Sequence, residues 1–560
     1  MSSMIGAVFL AIVAVVGLII KSEHDKEVRK RRLIAKLKKQ WGDVPSEEYT
    51  AEKLRSLAAY YNAVKEDTDV DDITWNDIDM DQIFMTMNNT SSAVGEEYLY
   101  AMLHKLKFEE EELKERNRLI EFFSSHEEER LRVQEIFSGM GKVKNVSIYE
   151  YMNRLNNLKK ENNMTHYFLI LALFVSVALI FVAPVLGIVC TVGSVINNIV
   201  RYYQRKSEVE SYFTVVSYLI RLLDSVKEFN ALKIEELKIY TKQLKEVEKA
   251  FQSFRKGARI VASKKPTGDM TDVFVDYIRM IFHVDLIKFN SMMKTFENNE
   301  EALNTIFDTI GLIDSMIAVA SFRELMGEYC LPVLEESSKP FIETEEIYHP
   351  MLTEPVKSSI SEKGCVLITG SNASGKSTFI KTLAINAILS QTIYTSLSKS
   401  YHASYFKVKS SMALQDNIYN NESYYIVEIK SLKRILDSLD EKIPTLCFVD
   451  EVLRGTNTLE RIAASSRILL SFAKENAMCF AATHDIELTH ILENYYANYH
   501  FQEQVVDNEI LFDYKLYQGR AVSKNAIKLL GIIGYSEEII EEATEAANLF
   551  LEEGEWSVIA

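Results

Sequence analysis

Two uncharged apolar runs interrupt a chain whose N-terminal two thirds otherwise set apolar positions at helical spacing against densely charged faces. Met4 to Ile20 is a run of 17 residues without a charge, and Phe168 to Val200 is one of 33. The first is close to the lower limit for crossing a hydrocarbon core about 30 Å thick. No positive charge precedes it, no small-residue cleavage site follows, and nine basic residues stand between Lys21 and Lys39. That pattern predicts an uncleaved anchor whose basic flank stays cytoplasmic. The second run would be roughly 50 Å long as one straight helix at about 1.5 Å per residue, more than one crossing needs. Pro184 and Gly187 stand in its middle, with Lys159, Lys160, Arg201, Arg205 and Lys206 at its ends. It reads as a tight hairpin with both ends cytoplasmic, or as a single span. A buried helix pair of a soluble core is the alternative.

Residues 40–166 and 201–335 are predicted helical. From about Glu343 short β-branched apolar runs alternate with helical stretches, the mark of an α/β nucleotide-binding domain. With 20 Gly and 8 Pro among 560 residues, composition also favours helix. The net charge of -17 argues against a general nucleic-acid coat. It leaves room for a local basic patch such as Lys256 to Lys265. The cysteines (Cys190, Cys330, Cys365, Cys447, Cys479) show neither CxxC nor Cys/His ligand spacing, so neither a zinc site nor a disulfide framework is indicated.

The chemistry gathers after residue 365. Cys365-Val366-Leu367-Ile368 reads as a buried strand and runs into Gly370, Ser371, Asn372, Ala373, Ser374, Gly375, Lys376 and Ser377, a complete GxxxxGK[ST] loop followed by Thr378. In such a loop backbone N–H groups wrap phosphates, Lys376 neutralises the β/γ oxygens and the Ser377 hydroxyl ligates Mg²⁺. Thr378 to Leu389 is predicted as the helix whose N-terminal dipole favours the anion. Thr445 to Val449 reads as a second buried strand ending in Asp450-Glu451. Asp450 would hold Mg²⁺, directly or through water, and Glu451 would orient and polarise the attacking water. Met478 to Ala482 delivers Thr483-His484 at a strand end where ligands of open α/β sheets collect, so His484 is placed to sense or polarise the γ-phosphate. Taken singly, the acidic pair also reads as helix capping and the histidine as a structural hydrogen-bonder. Their order behind the loop gives them the functional reading.

That order, with several local strings, resembles the MutS family of ABC-type ATPases. Asp450 to Thr458 is similar to the family's DE-x-x-RGT-x-T segment, Thr483-His484-Asp485 to its switch histidine, and Tyr348-His349-Pro350 to the HP motif before the ATPase domain. Gly519 to Ala526 resembles its C-terminal G-x-A-x-[SK] segment. Asp72-Ile73-Thr74-Trp75 through Leu99 resembles the opening of the helical core, and Ile313-Asp314-Ser315 through Pro332 its return. The resemblance spans most of residues 71 to 548 and implies a dimer in which Ser423 reaches across to the other subunit's γ-phosphate. There are departures. The 70 residues before the core leave no room for the family's mismatch-reading and connector domains. The apolar 168–200 run stands where a repair member has its DNA clamp. Asn421 replaces a glycine near Ser423, and Val356 stands where repair members can present an aromatic to adenine.

The expected fold is an α/β P-loop ATPase domain of ABC type joined to a long all-α core and lever region with transmembrane helices. Its expected parts are an anchor at 1–20, a basic juxtamembrane linker at 21–70, a helical core and first lever at 71–166, and a transmembrane hairpin or single span at 167–200. A second lever and core return follow at 201–335, then the ATPase domain at 336–560. The expected function is a membrane-anchored ATPase, a homodimer using ATP and Mg²⁺ at composite sites and coupling turnover to lever movement. The ATPase and levers would be cytoplasmic, with membrane lipid a partner. One alternative is a DNA-binding mismatch-repair or recombination-related factor, with little preference for mismatched DNA. The other is the ATPase subunit of a membrane transport system.

Overall fold

The computed structural model describes residues 2–156, 162–251, 277–337, 339–371, 374–412, 424–506, 509–521, 526–554, 556 and 558. The chain forms two compact units. Met1–Lys65, Phe84–Met102 and Arg116–Leu325 make the first, and Glu66–Ile83, Leu103–Glu115 and Met326–Ala560 make the second.

The described residues of the first unit are helical and irregular, without strands. Its core is the 27-residue helix Glu300–Met326, in which Ile306, Ile310, Ile313 and Ile317 are buried together with Asp314 and Ser315. A helix buried on all sides has no polar face to spare, so its carboxylate must find partners inside. Asp314 accepts from the Ser91 N–H (3.0 Å), the Ser92 N–H (2.9 Å) and the Ser92 hydroxyl (2.6 Å). Burial still pushes its pKa up to about 6. The approach depends on Gly95, where a Cβ would lie 2.1 Å from Asp314 Oδ2.

The 168–200 run folds as a helical hairpin, with arms Asn163–Leu179 and Pro184–Ala231 joined by a turn at 180–183. Pro184 opens the second arm, where its missing N–H leaves no helical bond unmade. Gly187 lets the arms close up, because a Cβ there would lie 2.4 Å from Ile180 N. Phe168, Phe174, Phe181 and Val182 are exposed along the hairpin. The second arm continues unbroken for 48 residues, roughly 72 Å at about 1.5 Å per residue. No break in the helix marks residue 200, where hairpin was expected to give way to lever. At the hairpin's open end His283 Nε2 lies 2.9 Å from the Asn198 carbonyl, and His283 Nδ1 lies 2.8 Å from His166 Nδ1. A carbonyl only accepts, so a neutral His283 donates from Nε2 and receives a proton bond from His166 at Nδ1.

The second unit holds the strands: β1 (Val333–Glu335), β2 (Ile342–Ile347), β3 (Ser358–Glu362), β4 (Cys365–Thr369), β5 (Ser400–Ser404), β6 (Lys407–Ser411), β7 (Thr445–Asp450), β8 (Ala477–Ala482), β9 (Tyr496–His500), β10 (Glu503–Val506), β11 (Glu509–Phe512) and β12 (Tyr517–Gln518). One sheet runs β1-β5-β2-β3. The principal sheet runs β12-β9-β4-β8-β7-β6, parallel except where β12 meets β9. Parallel strands covered on both faces read as continuous apolar runs. Accordingly every residue of β4 and β8 is buried. The helix Asp72–Asp77, which the sequence reading grouped with the helical core, belongs to this unit and packs beside β6. Asp77 Oδ2 accepts from Ser410 Oγ (2.6 Å) and the Met412 N–H (2.9 Å), and Asp71 pairs with Lys409 at 3.0 Å.

Candidate functional site

Strand order assembles the site. β8 lies between β4 and β7, with Ile368 and Asp450 both in register with Ala482. The three C-terminal strand ends therefore emerge side by side, and two backbone bonds fix them: Thr483 N–H to Ile368 O (3.0 Å) and Glu451 N–H to Ala482 O (2.9 Å). Segments over 80 residues apart in sequence meet along one edge.

On the β4 side the chain turns through Gly370 (φ 148°) and Gly375 (φ 108°) into the helix Lys376–Thr392. Both φ values suit glycine, and at Gly370 a Cβ would also lie 2.8 Å from the Phe501 carbonyl. Lys376 Nζ folds back to donate to the Gly370 and Ser371 carbonyls, each at 2.8 Å. Burial lowers its pKa, against the pull of Asp450, Glu451 and Glu503. A partly desolvated ammonium at a helix N-terminus favours an anion. Ser371 Oγ donates to Glu503 Oε2 at 2.8 Å. Asn372, Ala373, Asn421 and Ser423 lie outside the described residues.

Ser377 Oγ donates to Asp450 Oδ2 at 2.5 Å, across 73 residues of sequence. Burial raises the Asp450 pKa while the Ser377 hydroxyl opposes the shift. A hydroxyl and a carboxylate that converge in this way form an all-oxygen donor set suited to Mg²⁺. Beside them Glu451 Oε1 lies 2.9 Å from His484 Nε2, and Glu451 Oε2 lies 2.9 Å from Arg454 Nε. A cavity of about 200 Å³ opens here, lined by Glu451, Arg454, Arg461, Thr483, His484 and Asp485. Arg461 donates to both oxygens of Asp485, at 2.9 and 2.6 Å, and so holds the turn that carries His484.

A second cleft, about 360 Å³, adjoins Gly375 and Thr378 and is lined by Tyr348, His349, Val356, Phe379, Phe501 and Tyr514. Burial, helped by the Lys381 charge, lowers the His349 pKa to about 4, so its ring is neutral near pH 7. Phe501 and Tyr514, from beyond the principal motifs, bring aromatic rings to the cleft that Val356 also lines. Tyr514 has φ 53°. Its only sequence signal is an aromatic shortly before Gly519-Arg520-Ala521.

Residues 366–551 match the family MutS domain V. Among curated proteins the chain is 27% identical over 286 residues to MutS protein homolog 4 of Homo sapiens, covering 48% of this chain and 30% of that protein. It is 26% identical over 278 residues to DNA mismatch repair protein MSH3 of Debaryomyces hansenii (46% and 27% covered). It is 26% identical over 268 residues to DNA mismatch repair protein MutS of Thermotoga maritima (46% and 33%). These matches support MutS family membership. The aligned part thus spans a third or less of the length of these MutS relatives.

Proposed function

We propose that this chain is a MutS-type ATPase that binds ATP with magnesium at the ends of β4, β8 and β7 and hydrolyses it. The observation that carries the reading is the convergence of Lys376, Ser377, Asp450, Glu451 and His484 on one strand edge, with the 2.5 Å Ser377–Asp450 and 2.9 Å Glu451–His484 contacts. Bound Mg²⁺ would draw charge from the phosphates, with Ser377 and Asp450 as its holders. Lys376 and the loop N–H groups bind the phosphate chain, and the cleft of Phe501 and Tyr514 takes the base. Glu451 orients a water molecule and accepts its proton, while His484 fixes the Glu451 carboxylate. Dimerisation that brings the Ser423 segment of a second copy to each nucleotide completes the proposal. Lys376→Ala should abolish ATP binding, and Glu451→Gln should retain ATP while losing roughly a hundredfold or more in turnover. Normal turnover by Glu451→Gln would remove the assignment.

Two readings of the output start from this ATPase. The similarity to the mismatch repair proteins MSH3 and MutS favours mismatch repair, with DNA as partner, and this reading has the stronger support from comparison. The exposed apolar hairpin favours attachment to a membrane, with the ATPase cytoplasmic. Fluorescence anisotropy with paired and mismatched duplexes at two salt concentrations tests the first. Binding that falls steeply with salt and differs by no more than about threefold between duplexes would make it a backbone binder. A roughly tenfold mismatch preference would require a reading element in this chain.

A further inference from the structure

We propose that Glu428 is the positioning residue for Glu451: its carboxylate accepts the Leu453 N–H and holds the loop that presents the water-orienting acid. The inference rests on the hydrolytic reading above. It starts from a backbone that needs holding. Glu451 (φ 55°) and Leu453 (φ 57°) are both left-handed, a conformation that residues with a Cβ rarely adopt. Two such residues flanking Val452 persist only where the surroundings over-determine them.

Three contacts do so. The Glu451 N–H bonds to Ala482 O on β8, at 2.9 Å. Ser465 Oγ donates to the Val452 carbonyl at 3.1 Å. The Leu453 N–H donates to Glu428 Oε1. The first two anchors belong to the sheet and to the helix Thr458–Lys474, which follow the loop in the same sequence block. Glu428 comes from elsewhere, the helix Tyr424–Asp437, whose first residue directly follows Ser423. That helix lies close against the loop: a Cβ on Gly455 would meet Tyr425 Cβ at 3.3 Å. Glu428 is 2% exposed, and its Oε2 has no hydrogen-bond partner among the described residues. A buried carboxylate spent on backbone N–H groups of one loop is costly as mere filler. It is well suited to setting the angle of the residue two positions before that N–H.

The charge state of Glu428 then matters. Burial pushes its pKa up to about 7, the Glu451 charge adds to this, and the Leu453 and Arg454 N–H groups and the Arg454 charge oppose it. The ionised form accepts the loop N–H groups most strongly, so the loop is best held on the alkaline side of about pH 7.

The test measures steady-state ATP hydrolysis and, separately, nucleotide affinity in the full chain. Glu428→Ala is expected to lower kcat at least twentyfold with ATP affinity changed less than threefold. Glu428→Gln keeps a carbonyl acceptor for the Leu453 N–H. It is expected to stay within about fivefold of the parent kcat, while losing the rise of kcat across about pH 7 that the parent shows. A Glu428→Ala protein with kcat within threefold of the parent overturns the proposal, as does equal loss of kcat and affinity. Should Glu428→Ala fail to fold, Glu428→Gln decides alone, and an unchanged pH profile overturns the proposal. Absence of hydrolysis by the parent would remove the ATPase reading as well. Hydrolysis by the parent with these variants unaffected would remove only the role of Glu428.

Discussion

The helix Glu300–Met326 and the first part of the second hairpin arm, Pro184–Val209, have nearly equal mean hydropathy, yet they end in opposite surroundings. In the most apolar 18-residue stretch of the first, 83% is buried inside the protein, against 17% in the second. Composition alone passes both as membrane spans. The difference lies in what each meets. Glu300–Met326 is crossed by residues 91–98, with Gly95 allowing contact and Asp314 satisfied by Ser91 and Ser92. Among the described residues Pro184–Val209 packs on the other hairpin arm and, through Asn198 and Tyr202, on residues 281–285, while Val185, Val189, Val192 and Ile196 are exposed. An apolar surface of that kind marks a place where something other than water is expected.

The contrast can be broken most directly by charge. Ile313→Asp places a carboxylate where exposure is 0%, and should destabilise the first unit by about 3–5 kcal/mol, read as a collapse of the thermal midpoint. Val192→Asp, where exposure is 53%, should leave that midpoint nearly unchanged. Under the membrane proposal it should weaken flotation with lipid vesicles by roughly a hundredfold, since an acid at the centre of a membrane helix costs about 2.5–3.5 kcal/mol. Equal unfolding by both variants would mean that the hairpin is protein-covered and that the contrast is false.

A smaller effect sharpens it. Gly95→Ala drives a methyl group into Asp314 and should cost about 1–3 kcal/mol of the first unit's stability, measured by urea titration. Gly187→Ala meets the Ile180 backbone at the hairpin turn instead. It should spread the two arms, read as a longer pulsed-EPR distance between labels at Leu171 and Val192, with the urea midpoint little altered.

A pH slope confined to the buried side of the comparison sharpens it further. Burial pushes Glu97 up to about 8 and Asp314 up to about 6. Between its ordinary value and its raised one, such an acid holds more protons folded than unfolded, so stability falls as pH rises through that window. Urea midpoints of the parent should therefore decline from about pH 5 to about pH 8. Glu97→Gln should flatten the part above about pH 6 and leave the Asp314 part below it. A parent midpoint that rises over this range would contradict the burial of both acids.

Much of the strand-bearing unit was legible because its signals are local. A phosphate loop needs glycines at fixed offsets, and buried parallel strands need unbroken apolar runs, so β4, β7 and β8 and the residues at their ends could be placed in advance. The hairpin turn was legible for the same reason, through Pro184 and Gly187. Phe501, Glu503 and Tyr514 were not, since no motif flags an aromatic or an acid beyond the strand end it adjoins. Asp71 to Asp77 read as part of a helical core because helical periodicity does not reveal which unit a helix packs against.

By itself, then, the sequence determined the buried strands β4, β7 and β8, the glycine-rich turn after β4 and the side chains that stand at those strand ends, because these depend on neighbours a few residues away. Tertiary structure decided that β8 lies between β4 and β7, so that His484 meets Glu451 and Ser377 meets Asp450. It also decided that one of two similarly apolar helical stretches is buried and the other is largely exposed. Both outcomes depend on surfaces brought together from distant parts of the chain, and burial is a property of the pair of surfaces rather than of either one.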